Sequence, residues 1–265
     1  MTKLSKISTV SLMHYHKFAI RVIVLLTALV TYVVGRIKGE RFDDFDVMFD
    51  KYAIFFIAFW IVFVVEMIFR FFPSKIESPG CQKQFKRNFK AVEGGEIPKG
   101  KWVGTFISAT AWFALNGAIA ALYFMQIIDI GILVLISLAY SLSDMICILF
   151  FCPFQTWFMK NKCCTTCRIY NWDFAMMFTP CILVPHWYSW SLLGISLVLL
   201  AVWEISVKVH PERFYEQTNC GISCANCNEK LCHHKTQLRS FIKKNKDTLI
   251  LKGNTAIGKV KEKIK

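Results

Sequence analysis

The sequence predicts an all-α integral membrane protein of about six transmembrane helices carrying a Cys-rich cytoplasmic metal site. Three observations lead there. Of 265 residues 55% are hydrophobic, with 24 Phe and 8 Trp, more apolar surface than a single soluble core of ordinary composition buries. The apolar residues fall into runs long enough, or nearly so, to cross about 30 Å of hydrocarbon at about 1.5 Å per helical residue. Seven of the eleven cysteines crowd two short basic segments that flank one pair of these runs.

The runs cover residues 18–34, 52–72, 102–125, 128–151, 174–187 and 189–207. The first has a basic start but contains Arg21 and ends in Gly35-Arg36-Ile37-Lys38-Gly39-Glu40, not in a small-residue cleavage site, so it reads as a retained helix. The third is rich in Gly, Ala and Ser between Gly104 and Ala121, the composition of a tightly packed central helix. The fifth is short and carries Pro180 and Pro185. Residues 174–207 are too many for one ordinary span, and Pro185-His186-Trp187-Tyr188 reads as an aromatic interfacial turn, so this stretch is expected to form a hairpin. The expected organisation is a membrane domain over 1–208, a Cys/His-rich cytoplasmic segment over 209–235 and a basic tail over 236–265.

Loop charge sets the orientation. The N-terminal arm carries Lys3, Lys6 and Lys17, the 73–101 loop has seven basic against three acidic residues, and the 152–173 loop has Lys160, Lys162 and Arg168. The other side holds Asp43, Asp44, Asp46 and Asp50 against four basic residues. The positive-inside rule then predicts an inner-membrane protein with both termini cytoplasmic. The formal net charge of +14 is thereby explained by topology and by contact with anionic lipid headgroups. The aromatic residues that base stacking needs are nearly absent from the tail, so nucleic acid is not an expected partner.

A cytoplasmic address gives the cysteines their meaning, because clustered thiols in a reducing compartment bind metal more often than they form disulfides. Cys164-Thr-Thr-Cys167 and Cys224-Ala-Asn-Cys227 are two C-x-x-C knuckles, the spacing at which successive thiolates turn onto one cation. A membrane hairpin would bring both to one face. Cys163, Cys220, Cys232, His233, His234 and His210 are further ligands, enough for ligand exchange or a second site. Cys220-Gly-Ile-Ser-Cys224-Ala-Asn-Cys227 resembles, over eight residues, the C-x3-C-x2-C cluster motif of radical SAM enzymes, but only 38 residues follow Cys227, too few for the α/β barrel those enzymes require. The spacing keeps an iron-sulfur cluster beside zinc as the expected cofactor.

A second constellation lies within the apolar runs. Arg21, Glu66, Arg70, Asp144 and Glu204 sit at similar depth near the cytoplasmic ends of four spans. Charge in hydrocarbon is costly, so these side chains are expected to face the bundle interior and pair, Arg21 with Glu66 or Asp144. Structural ion pairs explain them; so would a proton path with Glu66 or Asp144 as catalytic candidates.

Three functions follow from these features. One is a membrane subunit with a structural zinc or iron-sulfur centre that docks a cytosolic protein. Another is a redox protein passing electrons to a quinone lined by Trp157, Trp172 and Trp203, and the third is a transporter or lipid-modifying enzyme using the buried acids. His14 and His16, on a short arm before the first span, receive no role. The sequence has no phosphate-binding Gly-rich loop, H-E-x-x-H or G-x-S-x-G motif.

Overall fold

The computed structural model describes residues 9–40, 42–73, 79–98, 102–160 and 167–223. These are helical throughout apart from turns and one isolated antiparallel bridge, Ala91 to Asn219. Four helices are long and apolar enough to cross a membrane, Leu12–Ile37, Val103–Phe124, Ile130–Leu149 and Trp187–Val209; a bent pair, Phe45–Lys51 with Ala53–Phe69, makes a fifth if taken as one span.

Helix α1 (Thr9–Ile37) runs antiparallel to α6 (Ile130–Leu149) and packs along it. Tyr32 donates to Asp129 at one end (2.9 Å), while Phe18 meets Phe150 edge-on at the other (5.4 Å). Asp129 also starts α6, its carboxylate accepting from the Ile132 amide at 2.9 Å, the N-cap role that suits an aspartate. Between α1 and the next long helix the chain forms α2 (Phe45–Lys51), capped by Asp44, and turns by 95° into α3 (Ala53–Phe69). Tyr52, at φ −122° and ψ 28°, is the non-helical residue at the bend.

After α3 come a short helix α4 (Pro79–Gln84) and the long α5 (Trp102–Phe124). Gln126 takes φ +57° to end α5, with the Ile127 amide donating to the Leu122 carbonyl, a C-terminal motif that satisfies orphan carbonyls. Helix α5 is not the central helix its small residues suggest. It docks through one ridge: Gly104, whose added Cβ would stand 2.7 Å from the Phe158 carbonyl, buried Ser108, and Trp112, which donates to Thr179 (3.2 Å). Its other faces, with Phe106 and Phe113, are exposed. Small side chains permit close approach along that ridge, but elsewhere offer little to interlock.

The fifth predicted span, 174–187, also departs from expectation. It is not one helix but a short α7 (Asp173–Met177) followed by a 3-10 turn, Thr179–Leu183. Pro180 has no N–H for the carbonyl four residues back and its ring would collide with it, so an α-helix begun at Asp173 cannot continue. The segment nevertheless runs between opposite ends of α3. Asp173 pairs with Arg70 just past the α3 C-terminus, whereas His186 lies against Phe45, Phe49 and Asp46 before its N-terminus. The 3-10 turn rises about 2 Å per residue, which helps so few residues cover the distance. Phe174, Met177, Phe178 and Val184 are buried, and α6 and α8 (Trp187–Val209) flank the segment, as irregular backbone at membrane depth requires.

Residues 79–98 and 210–223 form a cap on the end where α3, α6 and α8 finish. Its hub is the fully buried Asn219. The Asn219 amide donates to the carbonyls of Lys83 (3.1 Å) and Arg213 (2.9 Å), and its oxygen accepts from the amides of Gly221 (3.0 Å) and Lys90 (3.4 Å). The Cys220 amide then donates to the Lys90 carbonyl at 2.8 Å. Trp203, near the end of α8, fits beneath the cap between Phe85 and Phe214.

Candidate functional site

Arg21 is the centre of a buried ionic cluster at this end. From α1 its guanidinium donates to Glu66 of α3 (2.9 Å), to Asp144 of α6 (3.2 Å) and to the Ser141 carbonyl (2.8 Å), and lies 5.5 Å from the Phe63 ring centre. Lys17, one helical turn before Arg21, reaches the other Glu66 oxygen at 3.3 Å. Both acids expected as partners of Arg21 are engaged at once, so three helices are tied through one cation.

Arg70 belongs to a neighbouring pair. Immediately after α3 it holds Asp173 with both terminal nitrogens (3.1 and 2.5 Å), its charge 4.9 Å from the Phe174 ring centre and 5.8 Å from that of Tyr170. Such a two-pronged contact offsets the desolvation of both charges. Glu204 stands apart from the four charges with which sequence reasoning grouped it. It accepts both terminal nitrogens of Arg168 and the Trp172 indole N–H (2.6 Å), fastening the loop before α7 to the last turns of α8.

Sequence reasoning missed Asp173 and Lys17 because both lie just outside the apolar runs, where charges are ordinarily solvated. It also missed His14, which is 3% exposed and has both ring nitrogens buried without a hydrogen-bond partner among the described residues. The signal for Lys17 and His14 was spacing: His14, Lys17 and Arg21 follow one another at i, i+3 and i+7, one face of a helix that begins earlier than its apolar core.

Among the candidate metal ligands, Cys167 is buried and Cys220 partly buried. Cys163, Cys164, Cys224, Cys227, Cys232, His233 and His234 lie outside the described residues. His210 is half exposed beside Glu212, 3.2 Å from its carboxylate. Among the described residues no three His, Cys, Asp or Glu side chains converge as a metal site.

The described residues hold one cysteine of each thiol-bearing flank, Cys167 and Cys220. Neighbouring residues of α4 bond to residues near both: the Gln84 side chain accepts from Asn171 (3.0 Å), four residues after Cys167, and the Lys83 carbonyl accepts from Asn219, next to Cys220. The three tryptophans proposed for a quinone site occupy three different surroundings. Trp203 is enclosed by Phe85 and Phe214, Trp172 is bonded to Glu204, and Trp157 is 62% exposed against Phe151.

Comparison of the chain with protein-family models, curated proteins and solved structures gives no match.

Proposed function

We propose that this chain is a subunit of the inner membrane, both termini cytoplasmic, whose thiol-bearing flanks complete one metal centre that braces the cap as a docking face for a cytosolic protein. In this reading Cys164, Cys167, Cys224 and Cys227 supply the four thiolates, and Cys163, Cys220, Cys232, His233 and His234 are exchange ligands or a second set. The observation that carries it is the bridging by α4, whose Lys83 and Gln84 hold Asn219, next to Cys220, and Asn171, four residues after Cys167. The Arg168 to Glu204 clamp supports it further by tying the start of the 173–209 hairpin to its end.

Two observations favour bracing over the alternatives. Glu66 and Asp144 are both taken up by Arg21, the arrangement of a structural ion pair and not of an acid held ready for a substrate. Trp157, Trp172 and Trp203 share no surroundings in which an electron acceptor would rest against all three. A zinc ion held by four thiolates has no open position and acts as a clamp, whereas an iron-sulfur cluster at the same ligands would add electron transfer.

Metal analysis and an absorption spectrum of the anaerobically purified protein test the reading. Stoichiometric zinc without visible colour supports the clamp; a broad visible band that bleaches on reduction transfers support to the redox alternative. Protein free of both metals refutes a resident metal centre.

A further inference from the structure

We propose that the cavity between α1, α3 and α6 holds an acyl chain of a bilayer phospholipid. The cavity measures about 150 Å³ and is lined by Tyr32, Phe42, Phe55, Phe56, Val134 and Leu138 among others. A smaller one of about 50 Å³ shares the walls Phe55, Phe56, Val134 and Leu138. The 95° bend at Tyr52 carries α2 beneath this space. At the opposite end of α3, Glu66 draws it to α1 through Lys17 and Arg21. The helices are thus tied by charge at one end and separated by the cavity towards the other.

Its lining, mostly aliphatic and aromatic, suits hydrocarbon. The side-chain oxygens in the lining are the hydroxyls of Thr27, Thr31, Tyr32 and Tyr52, and that of Tyr32 already donates to Asp129. The remaining side chains of the wall are aliphatic and aromatic, and an apolar cavity of roughly 150 Å³ admits a benzene-sized group. The mouth names the source. Thr27 is exposed, with Ala28 and Thr31 half-buried, and around them the outer face of α1 shows Ile23, Leu26, Val30 and Val33. A side opening within such a belt on a helix of spanning length gives onto acyl chains.

The far end suits a phosphate. Arg36 lies one turn beyond Tyr32 on the same face of α1, is half exposed, and its contact with Asp129 is long at 3.8 Å. Lys38 follows it, also exposed. A phospholipid of the leaflet at the α1 C-terminus would set its phosphate there, while one chain turns in between α1 and α3.

Photolabelling tests this. The full-length protein is reconstituted in phosphatidylcholine vesicles containing a small fraction of phosphatidylcholine with a diazirine near the end of one acyl chain, irradiated and mapped by mass spectrometry. Label is expected on the walls Phe55 and Leu138 as well as on the exposed α5 residues Phe106 and Phe113. Ala28→Phe, which fills the mouth, loses the wall label and keeps that on α5; Leu138→Ala, which enlarges the cavity, raises label on Phe55. Label confined to exposed faces, or wall label indifferent to Ala28→Phe, overturns the proposal. Should Ala28→Phe fail to yield monodisperse protein, Leu138→Ala decides alone, and an unchanged Phe55 label overturns it equally.

Discussion

Replacing Arg21 by methionine removes the cation that binds Glu66 and Asp144 together. Methionine fills much of the same space, so the loss is mainly electrostatic. Arg21 is buried, and its three hydrogen bonds reach α3 and α6. Lys17 remains on Glu66, but Asp144 loses both its bond and its nearest positive charge. Breaking a buried pair by removing one partner costs about 3–5 kcal/mol, because the other charge stays behind unmatched. Arg21→Met should therefore destabilise the protein by about that much, read as a lowered unfolding midpoint in detergent. Adding Asp144→Asn removes the stranded charge while Lys17 still neutralises Glu66, and should restore most of the loss. A drop below about 1 kcal/mol for Arg21→Met, or no recovery in the double variant with Asp144→Asn, contradicts the idea that these charges serve one another.

Other expectations follow from particular contacts. Asn219→Ala deletes both donors and the acceptor at the cap hub; the lost bonds deprive the partly buried Lys83, Arg213 and Gly221 of that partner, at a total cost of roughly 1–3 kcal/mol, and hydrogen exchange at Lys90 and Gly221 should accelerate while that of α1 and α6 stays unchanged. Gly131→Ala puts a Cβ 2.8 Å from the Tyr32 ring and 2.9 Å from Phe42 Cβ, an overpacking expected to cost about 1–3 kcal/mol in the unfolding midpoint. Gly117→Ala, whose Cβ meets nothing within 4 Å, should instead be neutral or stabilising by up to about 1 kcal/mol.

The long helices were legible because uninterrupted apolar runs of twenty or so residues have one solution in a bilayer, and α1, α5, α6 and α8 are of that kind. The pairing of Arg21 was legible for a related reason: depth along a helix follows from counting residues, and charges at equal depth find one another. The fifth run misled because hydropathy registers the apolar side chains of Phe174 to Leu183 but not the backbone break that Pro180 enforces. Helix α5 misled in the opposite sense, since Gly104 and Ser108 mark a close approach on one ridge and say nothing of the remaining faces. The cap was invisible. Its contacts join Asn219 to Lys83 and Lys90 across more than a hundred residues through side chain to backbone bonds, and such bonds leave no periodicity in a sequence.

A metal centre shared by the two flanks is tested most directly by the metal content of Cys167→Ser, Cys224→Ser and the double variant, purified without oxygen. A shared site predicts that each single variant loses the same ion and that the double loses no more. Loss of separate ions at the two positions, adding in the double variant, contradicts it.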